Sequence, residues 1–271
     1  TLTTGGGHAP PAQGDSGDDE APRASFEHAK SRLGCEEASS LALGSPFDHA
    51  SLVELHVDES MPDPRHESFN DELARRIKKH VVETGGGAFV LFTSFTTMHR
   101  VAAMLRADFA DLNLPVWVQG QDGSRAHILE QFRQSDRSVL FGTSSFWQGV
   151  DVRGRGLRNV IITRLPFDPP DRPLTQARLE MIQSRGGNPF MEESLPRAII
   201  RFKQGFGRLV RSATDSGRVV VLDPRLVQAR YGRMFLEALP EGVKIVGQIG
   251  RPGARFRARA NGDGVPPSFD L

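Results

Sequence analysis

Gln204, Arg208 and Arg211 stand four and three residues apart within the segment QGFGRLVRS. On one continuous helix those spacings bring the three side chains to a single face. Two guanidiniums on adjacent turns, with an amide beside them, form a permanently charged platform. Its donors match phosphate oxygens, so it suits a phosphoryl group in transfer. A solvated basic helix face gives the same spacing, and Gly207 weighs against that blander reading. Glycine costs up to about 1 kcal/mol inside a helix but lets another backbone approach closely. The pattern predicts a helix opening at Pro196, with Ile199, Phe202, Phe206 and Leu209 as its packing stripe.

Two further segments carry groups that could hold an anion. FGTSSFWQGVDVRG, from Phe141 to Gly154, follows an apolar run directly. Gly142, Thr143, Ser144 and Ser145 offer backbone N–H and hydroxyl groups of the kind that bind phosphate. Gly149 and Asp151 offer a tight turn and a carboxylate able to accept from a sugar hydroxyl. Trp147 could stack on a base, although a tryptophan in such a loop more often packs. In LFTSF, from Leu91 to Phe95, Thr93 and Ser94 end a strand and open a helix, where orphan N–H groups and the helix dipole attract anions. Any capped helix shares that last property.

These groups need elements to position them. Apolar runs at 51–57, 88–93, 116–118, 138–142, 159–163, 218–222 and 243–247 read as strands. Several are nearly continuous, as in strands buried on both faces. Between them, Phe69, Leu73, Ile77 and Val81 fall at helical spacing and Gly85, Gly86 and Gly87 stop that helix. Ser94 and Ser124 stand as N-caps for two more helices. Strands alternating with helices predict an α/β fold with a mostly parallel sheet and helices on both faces. Ligands of such sheets sit at the carboxyl ends of the strands, which is where the candidate residues fall. Residues 1–40 are expected to be a disordered or linker segment, 41–249 the folded domain and 250–271 a flexible basic and polar tail. Asn188-Pro189-Phe190 reads as a turn between helices. LPFDPPDRP (165–173) is either a shaper of a ligand path or a rigid connector, and Asp223-Pro224-Arg225 either an ion pair or a site.

Composition narrows the partners. The 271 residues hold 34 Lys and Arg against 33 Asp and Glu, so any polyanion must be met by a local basic patch. The single cysteine, Cys35, can form neither an internal disulfide nor a four-cysteine cluster, and a reducing, cytoplasmic setting is the default. No apolar run reaches the length of a membrane span, and residues 1–30 lack the apolar core of a signal peptide. The lack of an initial Met suggests that the natural chain extends upstream. The eight histidines are scattered without metal-ligand spacing, so no metal site is expected.

LFTSF, GTSSFWQGVDVRG, LPFDPPDRPL, QGFGRLVRS and VVVLDPR occur in an order and spacing that resembles the second RecA-like motor domain of superfamily 2 DNA helicases. The branch is that of DinG and the XPD-like (Rad3-type) enzymes, and the similarity covers roughly residues 43–239. The resemblance implies the C-terminal motor domain of an ATP-dependent helicase moving 5′ to 3′ on single-stranded DNA, in repair or replication. It implies Arg208 and Arg211 as arginine fingers, with Gln204 beside the nucleotide. Gly149, Asp151 and Gly207 would belong to the nucleotide site. Thr93, Ser94, Thr143, Ser144 and Trp147 would meet the DNA. ATP and magnesium would be held mainly by an N-terminal motor domain, which is the expected partner together with single-stranded DNA. No GxxxxGK[ST] loop and no DEAH-type box occur in the chain, and Gln148 stands where many relatives carry an acid. The four cysteines that bind an iron–sulfur cluster in many relatives are absent as well. Alone, the chain is expected to hydrolyse ATP only at background. The rival reading is a non-catalytic nucleic-acid or partner-binding module derived from such a domain.

Overall fold

The computed structural model describes residues 23–41, 48–147, 156–209 and 215–247. The chain divides into two units, Thr1–Leu43 and Gly44–Leu271. In the first, a helix α1 spans Arg23–Leu33, inside the segment expected to be disordered. Ala, Glu, Lys, Arg and Leu are good helix formers, and Lys30 and Arg32 complement the carboxyl end of the dipole. Gly34 at φ 64° then closes it, with the Cys35 N–H donating to the Lys30 carbonyl at 3.0 Å, a Schellman ending. Residues 1–22 of the expected leading segment and the tail from residue 248 lie outside the described residues.

The second unit is built on seven parallel strands. Asp48 accepts from the Ala50 N–H at 3.1 Å and caps a one-turn helix α2, His49–Leu52, so strand β1 begins at Val53 rather than at residue 51 and runs to Val57. Helix α3, Phe69–Glu83, leads to β2, Ala88–Leu91. Helix α4, Phe95–Asp111, leads to β3, Val116–Val118. Helix α5, Arg125–Arg133, leads to β4, Val139–Gly142. A short helix α6, Ser144–Trp147, follows β4, and β5 is Asn159–Ile162. Helix α7, Pro173–Ser184, a π-turn at Phe190–Ser194 and helix α8, Leu195–Phe206, precede β6, Gly217–Val221. Two short helices, α9 at Arg225–Gln228 and α10 at Gly232–Glu237, come before β7, Lys244–Val246. The sheet order is β3-β4-β2-β5-β6-β1-β7, with every pairing parallel.

Alternation along the buried strands splits the core in two. Val90, Phe92, Phe141, Ile161 and Val220 meet Leu73, Ile77 and Val81 of α3 and Met98, Val101 and Leu105 of α4. Phe89, Leu91, Leu140, Val160 and Val219 point the other way, to Ile128, Leu129 and Phe132 of α5, Phe202 and Phe206 of α8 and Phe235 of α10. The helix over residues 69–83 ends as its glycines require. Gly85 and Gly86 take φ of 62° and 88°, and the Gly86 N–H donates to the Val81 carbonyl at 3.0 Å. The connection after β2 runs outward to β3, while that after β5 runs the other way to β6. The carboxyl ends of β2 and β5 therefore flank the crevice where ligands of doubly wound sheets bind.

Candidate nucleotide and nucleic-acid interface

The loops after β2, β3 and β4 meet at one edge of the sheet. Ser94 caps α4, its hydroxyl accepting from the Thr97 N–H at 3.4 Å, and Thr93 beside it is exposed. Phe95 is 48% exposed, with its ring edge-on to His99 at 5.9 Å between centroids. His99 Nε2 donates to the Gln119 carbonyl at 3.1 Å. Gln119 is the hub that sequence reasoning missed. Its Oε1 accepts from the Thr143 N–H at 2.7 Å and from the Thr143 hydroxyl at 3.0 Å, and its Nε2 donates to Ser145 Oγ at 3.0 Å. Its position directly after the VWV strand was the available signal, since polar residues there face the ligand edge. Thr143 is buried and already bonded, whereas Ser145 is exposed. Ser144 starts α6, and its side chain lies outside the described residues.

Trp147 is 3% exposed, and its Nε1 donates to the Phe92 carbonyl at 3.3 Å. Its ring packs on α8: a Cβ added at Gly205 would lie 2.9 Å from Cζ3 of the indole. The close approach expected at Gly207 is thus found at Gly205. Gly207 is the exposed C-cap of α8, its N–H donating to the Lys203 carbonyl at 2.8 Å. In this arrangement Trp147 is a core anchor without an exposed face for a base.

Because α8 ends at Phe206, Gln204 and Arg208 do not share one continuous helix face. The weak helix propensity of the glycines at 205 and 207 favours that early ending. Arg208 is only 6% exposed rather than outward at the rim. Its Nε donates to the Trp147 carbonyl at 3.1 Å, and Nη2 bonds the same oxygen. Gln204 is partly buried on the last turn of α8. Arg211, Gly149 and Asp151 lie outside the described residues.

The proline-rich loop after β5 is fastened at two points, Leu165 and Asp168. Asp223, fully buried, accepts from the Leu165 N–H at 2.8 Å and pairs with Arg225 at 2.6 Å, the internal ion pair of the two sequence alternatives. Hydrogen bonding to Asp223 pushes the Arg225 guanidinium above its usual range. Asp168 receives Arg197 at 3.0 Å and also Arg201, from successive turns of α8. Burial pushes Asp168 up, but the hydrogen bond from Arg201 and the charges of both arginines hold its carboxyl below the usual range. Arg197 and Arg178 converge on the buried Glu193 at 3.5 and 3.6 Å. Asn188 Oδ1 accepts from the Phe190 and Met191 N–H groups at 3.1 Å each, turning the chain into the π-turn. Among the described residues no group of three or more His, Cys, Asp or Glu is placed to hold a metal ion. No described helix is long and apolar enough to cross a membrane.

Known proteins place this architecture. Residues 77–242 match the family described as the helicase C-terminal domain. The chain is 44% identical over 215 residues to the ATP-dependent DNA helicase YoaA of Escherichia coli, covering 79% of this chain and 33% of that protein. It is 36% identical over 222 residues to the protein named 3′-5′ exonuclease DinG of Bacillus subtilis, covering 80% of this chain and 24% of that one. Among solved structures, an XPD helicase superimposes with a TM-score of 0.57 at 19% identity, over 84% of this chain and 41% of its own. The chain thus spans a quarter to a third of the length of these curated relatives. The parallel sheet is that of a RecA-like domain, and the chain belongs to the helicase C-terminal domain family, as a domain of the DinG and XPD type.

Proposed function

We propose that this domain is the second motor lobe of an ATP-dependent DNA helicase that moves 5′ to 3′ in the cytoplasm, in repair or replication. A companion N-terminal lobe would hold the β- and γ-phosphates and magnesium, since the sequence carries no P-loop and no DEAH-type box. Phosphoryl transfer is mostly positioning and charge stabilisation. Arg211 and Arg208 would supply positive charge to the transferring group, with Gln204, Gly207, Gly149 and Asp151 shaping the nucleotide side. Thr93, Ser94, Thr143 and Ser144 would lie along the single-stranded DNA backbone. Trp147 serves that surface from beneath, as the anchor of its loop.

The observation that carries this reading is the bond from Arg208 to the Trp147 carbonyl. It ties the segment proposed to meet ATP to the loop proposed to meet DNA. An arginine finger is worth about 10³–10⁵ in rate. In the enzyme that joins this domain to its companion lobe, Arg211→Ala is expected to lower DNA-stimulated kcat by about a thousandfold or more, with Tm unchanged. A collapse in Tm with normal specific activity would make the arginine structural. The chain alone is expected to hydrolyse ATP at background. Robust turnover by it, lost in Arg208→Ala, would reveal a nucleotide site of its own.

A further inference from the structure

Arg164 follows β5 by two residues, at the crevice where the outgoing connections of β2 and β5 diverge. Its neighbour Thr163 is bound across that crevice, N–H and hydroxyl both donating to the Leu91 carbonyl at 3.1 and 2.9 Å. The Arg164 guanidinium lies over the buried ring of Phe69, 5.2 Å from its centroid. Its Nε is buried without a hydrogen-bond partner. Among the described residues no carboxylate forms an ion pair with it, whereas Arg225, Arg197, Arg201 and Arg76 are all paired. Arg225 has Asp223, Arg197 and Arg201 share Asp168, and Arg76 has Asp58 at 2.7 Å.

Neither nearby acid forms an ion pair with Arg164. Asp223 is taken by Arg225 and the Leu165 N–H, and Asp63 Oδ1 accepts from the Arg65 N–H at 2.8 Å. Burial, then the charge of Arg225, pushes the Arg164 guanidinium below its usual range, opposed by Asp223 and Asp63. A half-buried cation held on an aromatic face with an unmet donor is costly unless an anion completes it. Guanidinium donors match the geometry of a phosphate.

We propose that Arg164 is a phosphate-binding residue, and that its ligand is a backbone phosphate of single-stranded DNA crossing the β2–β5 crevice beside Thr93. The proposal rests on the reading of this edge as the DNA side of the domain. A nucleotide phosphate has the same chemistry, so the test separates the two sources.

The experiment is fluorescence anisotropy of a labelled single-stranded oligonucleotide, titrated at several salt concentrations. Each single-strand phosphate contact contributes roughly 0.7 to the slope of log K against log salt. Arg164→Gln is expected to weaken binding roughly tenfold and to reduce the slope by about 0.7. Arg164→Lys is expected to keep the slope. If Arg164→Gln lowers Tm, Arg164→Met, which keeps an unbranched stem against Phe69, is read in its place. Unchanged affinity and slope in the charge-removing variant overturn the proposal, and leave the DNA reading of the edge standing. An unchanged slope with lost affinity for a fluorescent ATP analogue assigns Arg164 to the nucleotide and also overturns it. Failure of the wild-type chain to bind the oligonucleotide defeats the DNA reading and the proposal together.

Discussion

The guanidinium of Arg208 is fastened to the carbonyl oxygen of Trp147, sixty-one residues earlier in the chain, with Nε at 3.1 Å. Both residues are buried, and the indole of Trp147 is itself bonded to the Phe92 carbonyl at 3.3 Å. A chain of two hydrogen bonds thus runs from the end of α8 through the loop after β4 to the end of β2.

Replacing Arg208 by Ala leaves the Trp147 carbonyl without its donors, which costs about 1–3 kcal/mol of stability. For a domain of this size that is a fall in Tm of roughly 2–4 °C per kcal/mol. If the residue also serves phosphoryl transfer, kcat in the two-lobed enzyme falls by a far larger factor, about a thousandfold or more. Arg208→Lys retains charge but not the paired donors. Thermal melts and DNA-stimulated ATPase on the two variants separate the roles. Activity that tracks only the folded fraction would confine Arg208 to structure.

Gln119 bonds both the N–H and the hydroxyl of Thr143. Gln119→Ala strands those donors and frees Ser145, so the loop after β4 loses its brace. Single-stranded oligonucleotide affinity is expected to drop severalfold, with a stability loss of about 1 kcal/mol. An unchanged dissociation constant in a folded variant would remove this loop from the DNA surface.

Gly205→Ala sets two effects against each other. Alanine gains roughly 0.5–1 kcal/mol in helix propensity, but its Cβ would sit 2.9 Å from the Trp147 ring, and such overpacking costs about 1–3 kcal/mol. Net destabilisation with altered tryptophan emission is expected. A variant more stable than wild type, with an unshifted spectrum, would mean the indole moves aside freely.

Burial pushes His80 down to about 4 from an ordinary 6.5, against the opposing charge of Glu83. Between those values the unfolded chain binds more protons than the folded one. The contribution of His80 is therefore complete above pH 6.5 and is lost as pH falls toward about 4. Urea midpoints measured from pH 7 to pH 4.5 should decline less in His80→Leu than in the wild type. Parallel declines would place the acid sensitivity elsewhere.

The sheet was legible because parallel strands are buried on both faces and read as apolar runs. All seven expected strands occur within two residues of their expected limits. The stripe Phe69, Leu73, Ile77 and Val81 and the caps at Ser94 and Ser124 were equally local signals. The expected helix face shared by Gln204 and Arg208 is not formed, because spacing assumes a helix that continues, and the chain turns at Gly207; Arg211 lies outside the described residues. Burial of Trp147 and the bridging by Gln119 are tertiary facts. Each depends on which loops the strand order makes neighbours, and residue order does not encode that locally. Helix α1 was hidden by the Gly- and Pro-rich residues before it, whose composition dominates any average taken over the segment.

Asp168 grips Arg197 and Arg201 at once, one helical turn apart. The proline-rich loop cannot slide along α8 without breaking both contacts, and its proline rings resist bending. Any displacement of that loop relative to the helix must therefore first break two ion pairs made by a single carboxylate.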